Sequence, residues 1–405
     1  MKFGLSRAKS PDKFDYTLIG IIVVMMFTSL AAIYSAFGIL GTSAGMDYLT
    51  RQVMWYILGY IIIAALMYLG NDSLLQFAKI GYWVLLVLLG LLLVDKVYNS
   101  FTGNDLPLFL TTNGATSWYQ FPGIGSFQPS EFMKIALIII VANIIDEHNK
   151  EKLIESYEQD FKLIIEILKW SLPPVVLILA QPDTGVVLIM FISIAAMVMC
   201  SGIKKEWIMI LFGVLAAVLA LFFYMYFFHF DFLNKLIGGE NGYKLRRITS
   251  WLNPESDIGG DGHQLYLSLL VIGSAGLNGH GIGANLVSLP EAQTDLIFAV
   301  IGQTWGFIGT VLVVGLCLFL DLHICKIASL SKNMIDKYMI TGFLGLLLYQ
   351  QFQNIGMLIG LLPITGITLP LLSYGGSSML SYMIAFGIIM NASKKAKKLS
   401  DYVYE

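Results

Sequence analysis

Residues 286–309 read LVSLPEAQTDLIFAVIGQTWGFIG, a polar loop holding Glu291, Gln293, Thr294 and Asp295 that runs into an apolar segment. That segment starts at Leu296 and, Gln303 and Thr304 aside, continues to about Leu320. Asp295 therefore stands where a polar loop enters hydrocarbon, a depth at which an unpaired carboxylate is costly and a functional role is the default expectation. Aspartate is also a favoured N-cap, so Asp295 either caps the helix beginning at Leu296 or serves as a catalytic or binding group.

Other polar side chains cluster at the same ends of the apolar runs. In FQPSEFMKIA, Glu131 and Lys134 are three apart and share one helix face, so they neutralise each other or present Lys134 to a phosphate. Trp118, after GATS, is an interfacial anchor or a site residue. Asp183 in QPDTG is a turn residue or a second carboxylate for the site. Arg246 and Arg247 in YKLRRITSWLNP suit a forked grip on a diphosphate, or rest on lipid headgroups. Gln350, Gln351, Gln353 and Asn354 are expected to bond neighbouring helices, and SYGGSS at 373–378, with Ser377, permits close helix approach. His148, His229, His263, His280 and His323 make no metal-ligand spacing, and no metal site is expected from them. Together these groups describe a polar cavity beneath two large loops, suited to an amphiphile with an anionic headgroup and a lipid tail.

The elements that must position them are membrane helices. Of 405 residues 57% are hydrophobic and 13% charged, about half the charge of a soluble domain. The expected class is all-α, one polytopic membrane domain over residues 1–405. Spans of about 20 apolar residues fall near 16–37, 53–69, 74–94, 131–146, 165–181, 186–201, 207–229, 296–320, 338–361 and 373–391, about ten in all. The first run has no cleavage site after it and reads as a span, not a leader. Lys2, Arg7, Lys9, Lys13, Lys150, Lys152, Lys162, Lys204, Lys205, Lys326, Lys332 and the tail lysines Lys394, Lys395, Lys397 and Lys398 all fall on one side. Loops 38–50 and 362–372 hold no Lys or Arg, so both termini are expected in the cytoplasm. Two long external loops follow, 95–130 and 230–295; in the second, 264–272 is apolar enough for a short interfacial helix and 273–283 is glycine-rich. Cys200, Cys317 and Cys325 imply no disulfide framework, and no nucleic-acid partner is expected.

The motifs GATSW…FPGIGSFQPSEFMKIA, QPDTG, RRITSWLNP, LPEAQTDLIFAVIG, FQNIGM and LPITGITLPLLSYGGSS follow one another across nearly the whole chain. In that order they resemble the SEDS family of cell shape, division and sporulation proteins. FQNIGM and the closing LPITGITLPLLSYGGSSMLS look more like its elongation (RodA-type) branch than its division (FtsW-type) branch. The resemblance implies a peptidoglycan glycosyltransferase of the bacterial cytoplasmic membrane. It would polymerise lipid II on the outer face, beside a class B penicillin-binding protein that cross-links the product.

By the same resemblance Asp295 is the essential aspartate, and Trp118, Glu131 and Lys134 match family motif positions. Asp183, Arg246, Arg247, Glu291, Thr294 and Ser377 complete the expected substrate-binding set. The chain departs from the family where Gln293-Thr294-Asp295 stands for the common His-Thr-Asp, and where Gln303-Thr304 replaces a common acidic pair. The implied chemistry is attack by a sugar 4-hydroxyl on a lipid-linked diphospho-sugar, with Asp295 as general base. Arg246, Arg247, Lys134 or a divalent cation (Mg or Mn) would balance the departing diphosphate. The rival expectation is a carrier that flips lipid II, for which polar groups inside a bundle and an interrupted helix near 181–186 would also serve.

Overall fold

The structure is a computed structural model and describes residues 14–71, 73–104, 106–112, 115–121, 125–152, 156–237, 242–258, 260 and 262–404. Lys2, Arg7, Lys9 and Lys13 lie outside the described residues. In chain order the elements are α1 (Tyr16–Ser35), α2 (Phe37–Leu40), α3 (Thr42–Leu69) and α4 (Leu74–Thr102), then strands β1 (Phe109–Thr112), β2 (Ala115–Phe121) and β3 (Gly125–Phe127). There follow α5 (Pro129–Glu151), α6 (Tyr157–Ala180), α7 (Thr184–Met199), α8 (Lys205–Phe228), α9 (Phe230–Ile237), α10 (Gly242–Leu252) and a 3-10 turn (Pro254–Asp257). The last are α11 (His263–Ser274), α12 (Ile297–Leu330), α13 (Met334–Leu358) and α14 (Gly376–Tyr404).

Among the described residues, six segments are long and apolar enough to cross a bilayer on length and composition alone: α1 with α2, α3, α4, α6, α8 and α12. α5, α13 and α14 are of spanning length but more polar, and α7 is a shorter apolar helix. Each of the ten expected spans coincides in position with one of these helices, and six of them pass that test. α5 lies at the centre, its residues from Met133 to Ala142 all buried, against α4, α6, α7, α13 and α14. Outward faces of α3 and α4 carry Ile61, Val87 and Phe77, exposed as lipid-facing residues should be. Since lipid tails are as apolar as leucine, the bundle is held by close packing and interhelical polar bonds. Ser193 of α7 donates to the carbonyl of Gly342 on α13 at 2.7 Å.

Two of the four α13 amides bond neighbouring helices as expected. Gln350 exchanges bonds with the Tyr382 hydroxyl of α14 and Gln351 donates to Asp321 of α12. Gln353 and Asn354 instead bind the irregular segment after α13, through the carbonyls of Pro363 and Ile367.

Both long connecting segments are more structured than loops. Asp95 belongs to α4, which runs on to Thr102; its carboxylate accepts from the Leu106 N–H at 2.7 Å and so turns the chain toward the sheet. β1, β2 and β3 form an antiparallel sheet in that order, a small β addition to an otherwise helical fold. The segment 230–295 holds α9, α10, the 3-10 turn and α11. α11 matches the expected short helix at 264–272, and it packs on α12 and α13.

The glycine-rich run has a defined task. α12 is broken at Gly306, whose φ of 63° and ψ of −157° are non-helical and suit a residue without Cβ. The carbonyls of Gln303 and Thr304, freed there, accept from the N–H groups of His280 and Gly281. Beyond the break, Phe307 and Ile308 donate back to the carbonyls of Gly276 and Leu277. A loop thus replaces the missing helical bonds, as backbone interrupted at membrane depth requires.

Candidate active site

The polar turn 291–296 stands at the head of the first half of α12, whose residues 297–304 are all buried. Glu291 takes a left-handed φ of 52°, and its carbonyl accepts from the N–H groups of Thr294 and Leu296. Its carboxylate accepts from Gln293 Nε2 at 3.1 Å and from Thr294 Oγ1 at 3.0 Å. Three bonds then fasten the turn from outside. Asn354 Nδ2 donates to the Asp295 carbonyl at 2.9 Å, Ser373 Oγ to the Thr294 carbonyl at 2.7 Å, and the Tyr374 N–H to the Gln293 carbonyl at 2.8 Å. Asn354 also grips Ile367, so one buried amide fixes Asp295 and the segment beside it.

The Asp295 carboxylate does not cap α12. The N-cap is Leu296, without a side-chain bond, and among the described residues nothing hydrogen-bonds to the carboxylate. It is half-buried and faces Gly366, where a Cβ would stand 3.2 Å from Oδ2. Loss of water pushes its pKa up to about 7; the Glu291 charge adds to the rise and the Arg247 charge opposes it. Arg247 is half-buried on α10 and donates to the Ile364 carbonyl at 3.0 Å, two residues from Gly366. Trp251 on the same helix donates to the Gly360 carbonyl, so α10 is tied to the segment that faces Asp295. Arg246 is exposed.

A second cluster lies across that segment. Ideal Cβ placement at Gly185, in the first turn of α7, falls 3.1 Å from Ile367. Asp183 caps α7 through the Val186 N–H and accepts from Gln128 Nε2 at 2.9 Å. Burial pushes its pKa up to about 6; Glu131 also raises it, while the Val186 bond, Lys134 and Gln128 pull it down. Lys134 Nζ lies 2.9 Å from both Glu131 oxygens, with the two side chains 1% and 8% exposed. Ser381 of α14 adds a 3.4 Å bond to Glu131. Ser377 Oγ accepts from the Gln128 N–H and donates to the Ser126 carbonyl, joining α14 to the sheet. Trp118 is half-buried in β2 opposite Leu110.

The expected residues therefore form two groups. Asp295, Glu291, Thr294 and Arg247 are one; Asp183, Glu131, Lys134 and Ser377 the other, with residues 363–373 between them. Sequence reasoning missed Asn354 as the anchor of Asp295, Gly366 as its neighbour, and Gln128 as the partner of Asp183. It also missed Arg51, at the same end of α3, paired with Asp47 at 3.0 Å below the Tyr48–Tyr374 contact. The signal was there: Arg51 is a lone cation following the Lys- and Arg-free stretch 38–50.

Among the described residues no three His, Cys, Asp or Glu side chains gather as a metal site. Glu291 and Asp295 are close enough for their charges to interact. A Mg²⁺-like ion needs one or two carboxylates plus substrate phosphate oxygens, and this pair fits that donor set.

Fold and site define a multi-pass membrane protein with two groups of carboxylates at one end of the bundle. Residues 14–398 match the FtsW, RodA and SpoVE family, described as Cell cycle protein, and the chain belongs to that family, the SEDS proteins. The expected enzyme class, a glycosyltransferase, stands with it. Stage V sporulation protein E of Bacillus subtilis is 30% identical, over 95% of this chain and 98% of its own. A probable peptidoglycan glycosyltransferase FtsW of Geobacter sulfurreducens is also 30% identical, over 98% and 99%. Among solved structures, the rod shape determining protein RodA of Thermus thermophilus aligns with a TM-score of 0.64 at 25% identity, covering 94% of this chain and 97% of that one. A chain from a peptidoglycan synthase complex aligns at 0.72 with 24% identity, over 95% and 98%, and shares the fold.

Proposed function

We propose that this chain polymerises lipid II into β-1,4 glycan on the outer face of the cytoplasmic membrane, with Asp295 as general base. The observation that carries this reading is a carboxylate that takes no hydrogen bond among the described residues, is held by its backbone, and has its pKa pushed up to about 7 by burial. A base works best when its pKa lies near the working pH, and a placed one contributes about 10²–10⁴-fold. Asp295 takes the proton of the acceptor 4-hydroxyl as that oxygen attacks the anomeric carbon. The bond to the diphosphate breaks and the lipid diphosphate leaves. Attack from the face opposite the leaving group inverts an α-linked donor to a β product. Arg247 supplies positive charge on the Asp295 side, with Arg246 exposed beside it on α10. Thr294 and Glu291 orient the turn. Asp183, Glu131, Lys134, Ser377 and Trp118 form the far wall, where the Glu131–Lys134 pair sets the charge felt by Asp183.

Residues 1–405 act as one membrane unit with both termini in the cytoplasm, as the lysine distribution supports. A class B penicillin-binding protein cross-links the product; the structural likeness to a chain of a peptidoglycan synthase complex supports that pairing. FQNIGM and LPITGITLPLLSYGGSSMLS favour an elongation role, while the curated relatives above carry division and sporulation names. Depletion in the native cell separates these: rounding fits elongation, filaments fit division.

The test is purified protein with its partner, lipid II and a readout of glycan length, with and without a chelator. Glycan formed in detergent supports a polymerase. The break in α12 at Gly306 is of the kind found in carriers, so labelled lipid II in sealed vesicles is the matching assay for that rival: transport without glycan would favour it.

A further inference from the structure

Two runs of three consecutive carbonyls, one behind the other, connect buried side chains of α1 and α3 to the turn that carries Asp295. In the first run, the Leu371 carbonyl accepts from the Tyr56 hydroxyl, that of Leu372 from Ser29 Oγ at 2.8 Å, and that of Ser373 from Gln52 Nε2 at 3.2 Å. Gln52 Nε2 also donates to Ser29 Oγ at 3.1 Å and so braces its neighbour. In the second run, the carbonyls of Gln293, Thr294 and Asp295 accept from the Tyr374 N–H, Ser373 Oγ and Asn354 Nδ2. Ser373 joins the two runs. Its carbonyl is held by Gln52, while its hydroxyl, which accepts from the Leu369 N–H at 2.8 Å, holds Thr294.

Residues 371–374 do not take this shape by their own propensity. Leu371 has a left-handed φ of 63°, which a leucine keeps only where its surroundings over-determine it. Ser29, Gln52 and Tyr56, all fully buried, supply that constraint. Gln52 Oε1 takes no hydrogen bond among the described residues, so the amide serves through its two donated bonds while its oxygen stays uncompensated. We propose that Gln52, with Ser29 and Tyr56 beside it, is a positioning residue for Asp295, acting through Ser373 and Tyr374 without touching substrate. The proposal rests on the reading of Asp295 as general base. A shift of the 373–374 backbone moves two of the three anchors of the turn, and a displacement of about 1 Å in a reacting group costs about 10²-fold.

The full-length protein is assayed for lipid II polymerisation with Gln52→Met, which removes the donors at similar volume, in the parent and in the Asp295→Asn background. Gln52→Met lowers kcat of the parent by about tenfold and leaves KM for lipid II unchanged. In Asp295→Asn the same substitution leaves the residual rate as it was, because no base remains to be misplaced. Ser29→Ala and Tyr56→Phe, each lacking one hydroxyl, behave alike and stand in should Gln52→Met fail to fold. Equal losses in the two backgrounds mean a general effect on the fold and overturn the proposal, as does an unchanged kcat in the parent. Amide hydrogen exchange gives a readout without turnover: Gln52→Met speeds exchange at Tyr374 and across 291–296 by about fivefold, equivalent to one net hydrogen bond, while residues 184–199 keep the parent rate. Exchange raised everywhere, or nowhere, overturns the positioning role. Polymerisation by Asp295→Asn at the parent rate refutes the general base instead, and the exchange measurement then decides by itself whether Gln52 holds the turn.

Discussion

Gly366 lies against the Asp295 carboxylate, so near that a Cβ at this glycine would stand 3.2 Å from Oδ2. Its φ of 74° is left-handed, so an alanine here meets backbone strain as well as the carboxylate. A group that reaches Oδ2 past this glycine would meet that Cβ.

Gly366→Ala should therefore lower lipid II polymerisation by about tenfold or more, chiefly in kcat, because misplacement by about 1 Å costs about 10²-fold in a positioned reaction. Steady-state kinetics on the purified variant check this. An unchanged kcat would mean that the reacting hydroxyl does not approach past Gly366.

The pH profile follows from the charges on Asp295. A base must be ionised, so the rate should fall about tenfold per unit below a midpoint near 7 and level off above it. Glu291→Gln removes a like charge and moves the midpoint down; Arg247→Gln removes a favourable charge and moves it up. Burial remains the largest cause of the shift, so neither variant returns the midpoint to the ordinary carboxylate range. Opposite movement in the two variants is the signature to look for.

Ionised Asp295 also carries a folding cost. Its carboxyl is harder to ionise folded than unfolded, so the cost grows as pH rises from about 4 to about 7 and is constant above that. Asp295→Asn should melt above the parent at pH 8, and the two should converge near pH 4. A melting curve in detergent at the two pH values decides it.

Lys134 and Glu131 form a sealed pair, with both carboxylate oxygens 2.9 Å from Nζ. Lys134→Ala leaves a buried charge without its partner and should cost about 3–5 kcal/mol of stability. Lys134→Met combined with Glu131→Gln should recover most of that loss. If the single variant melts with the parent, the pair is not as enclosed as its geometry indicates.

The helices were legible because hydrocarbon favours long apolar helices, and their positions follow from the apolar runs, although only six pass as spans on length and composition. The ends are set by local bonds that composition does not carry: α4 continues past Asp95 because that carboxylate is satisfied by the Leu106 N–H. The β1–β3 sheet escaped notice because its strands are three to seven residues long, too short for a periodic signal. Glu131 and Lys134 could be paired on sequence since they share a helix face. Asn354 could not be assigned to Asp295, which is 59 positions away, nor could the bond between Gln128 and Asp183, 55 apart. Gln303 and Thr304 looked like a departure from an acidic family pair; in the fold their carbonyls take up the glycine-rich loop at the break in α12.

The most direct measurement is polymerisation of lipid II by the purified Asp295→Asn variant with its partner protein, read as glycan length against the parent. The substitution keeps size and polarity but cannot accept the proton, so the rate should fall by about 10²–10⁴-fold while lipid II is still bound. Glycan made at the parent rate would contradict the role given to Asp295.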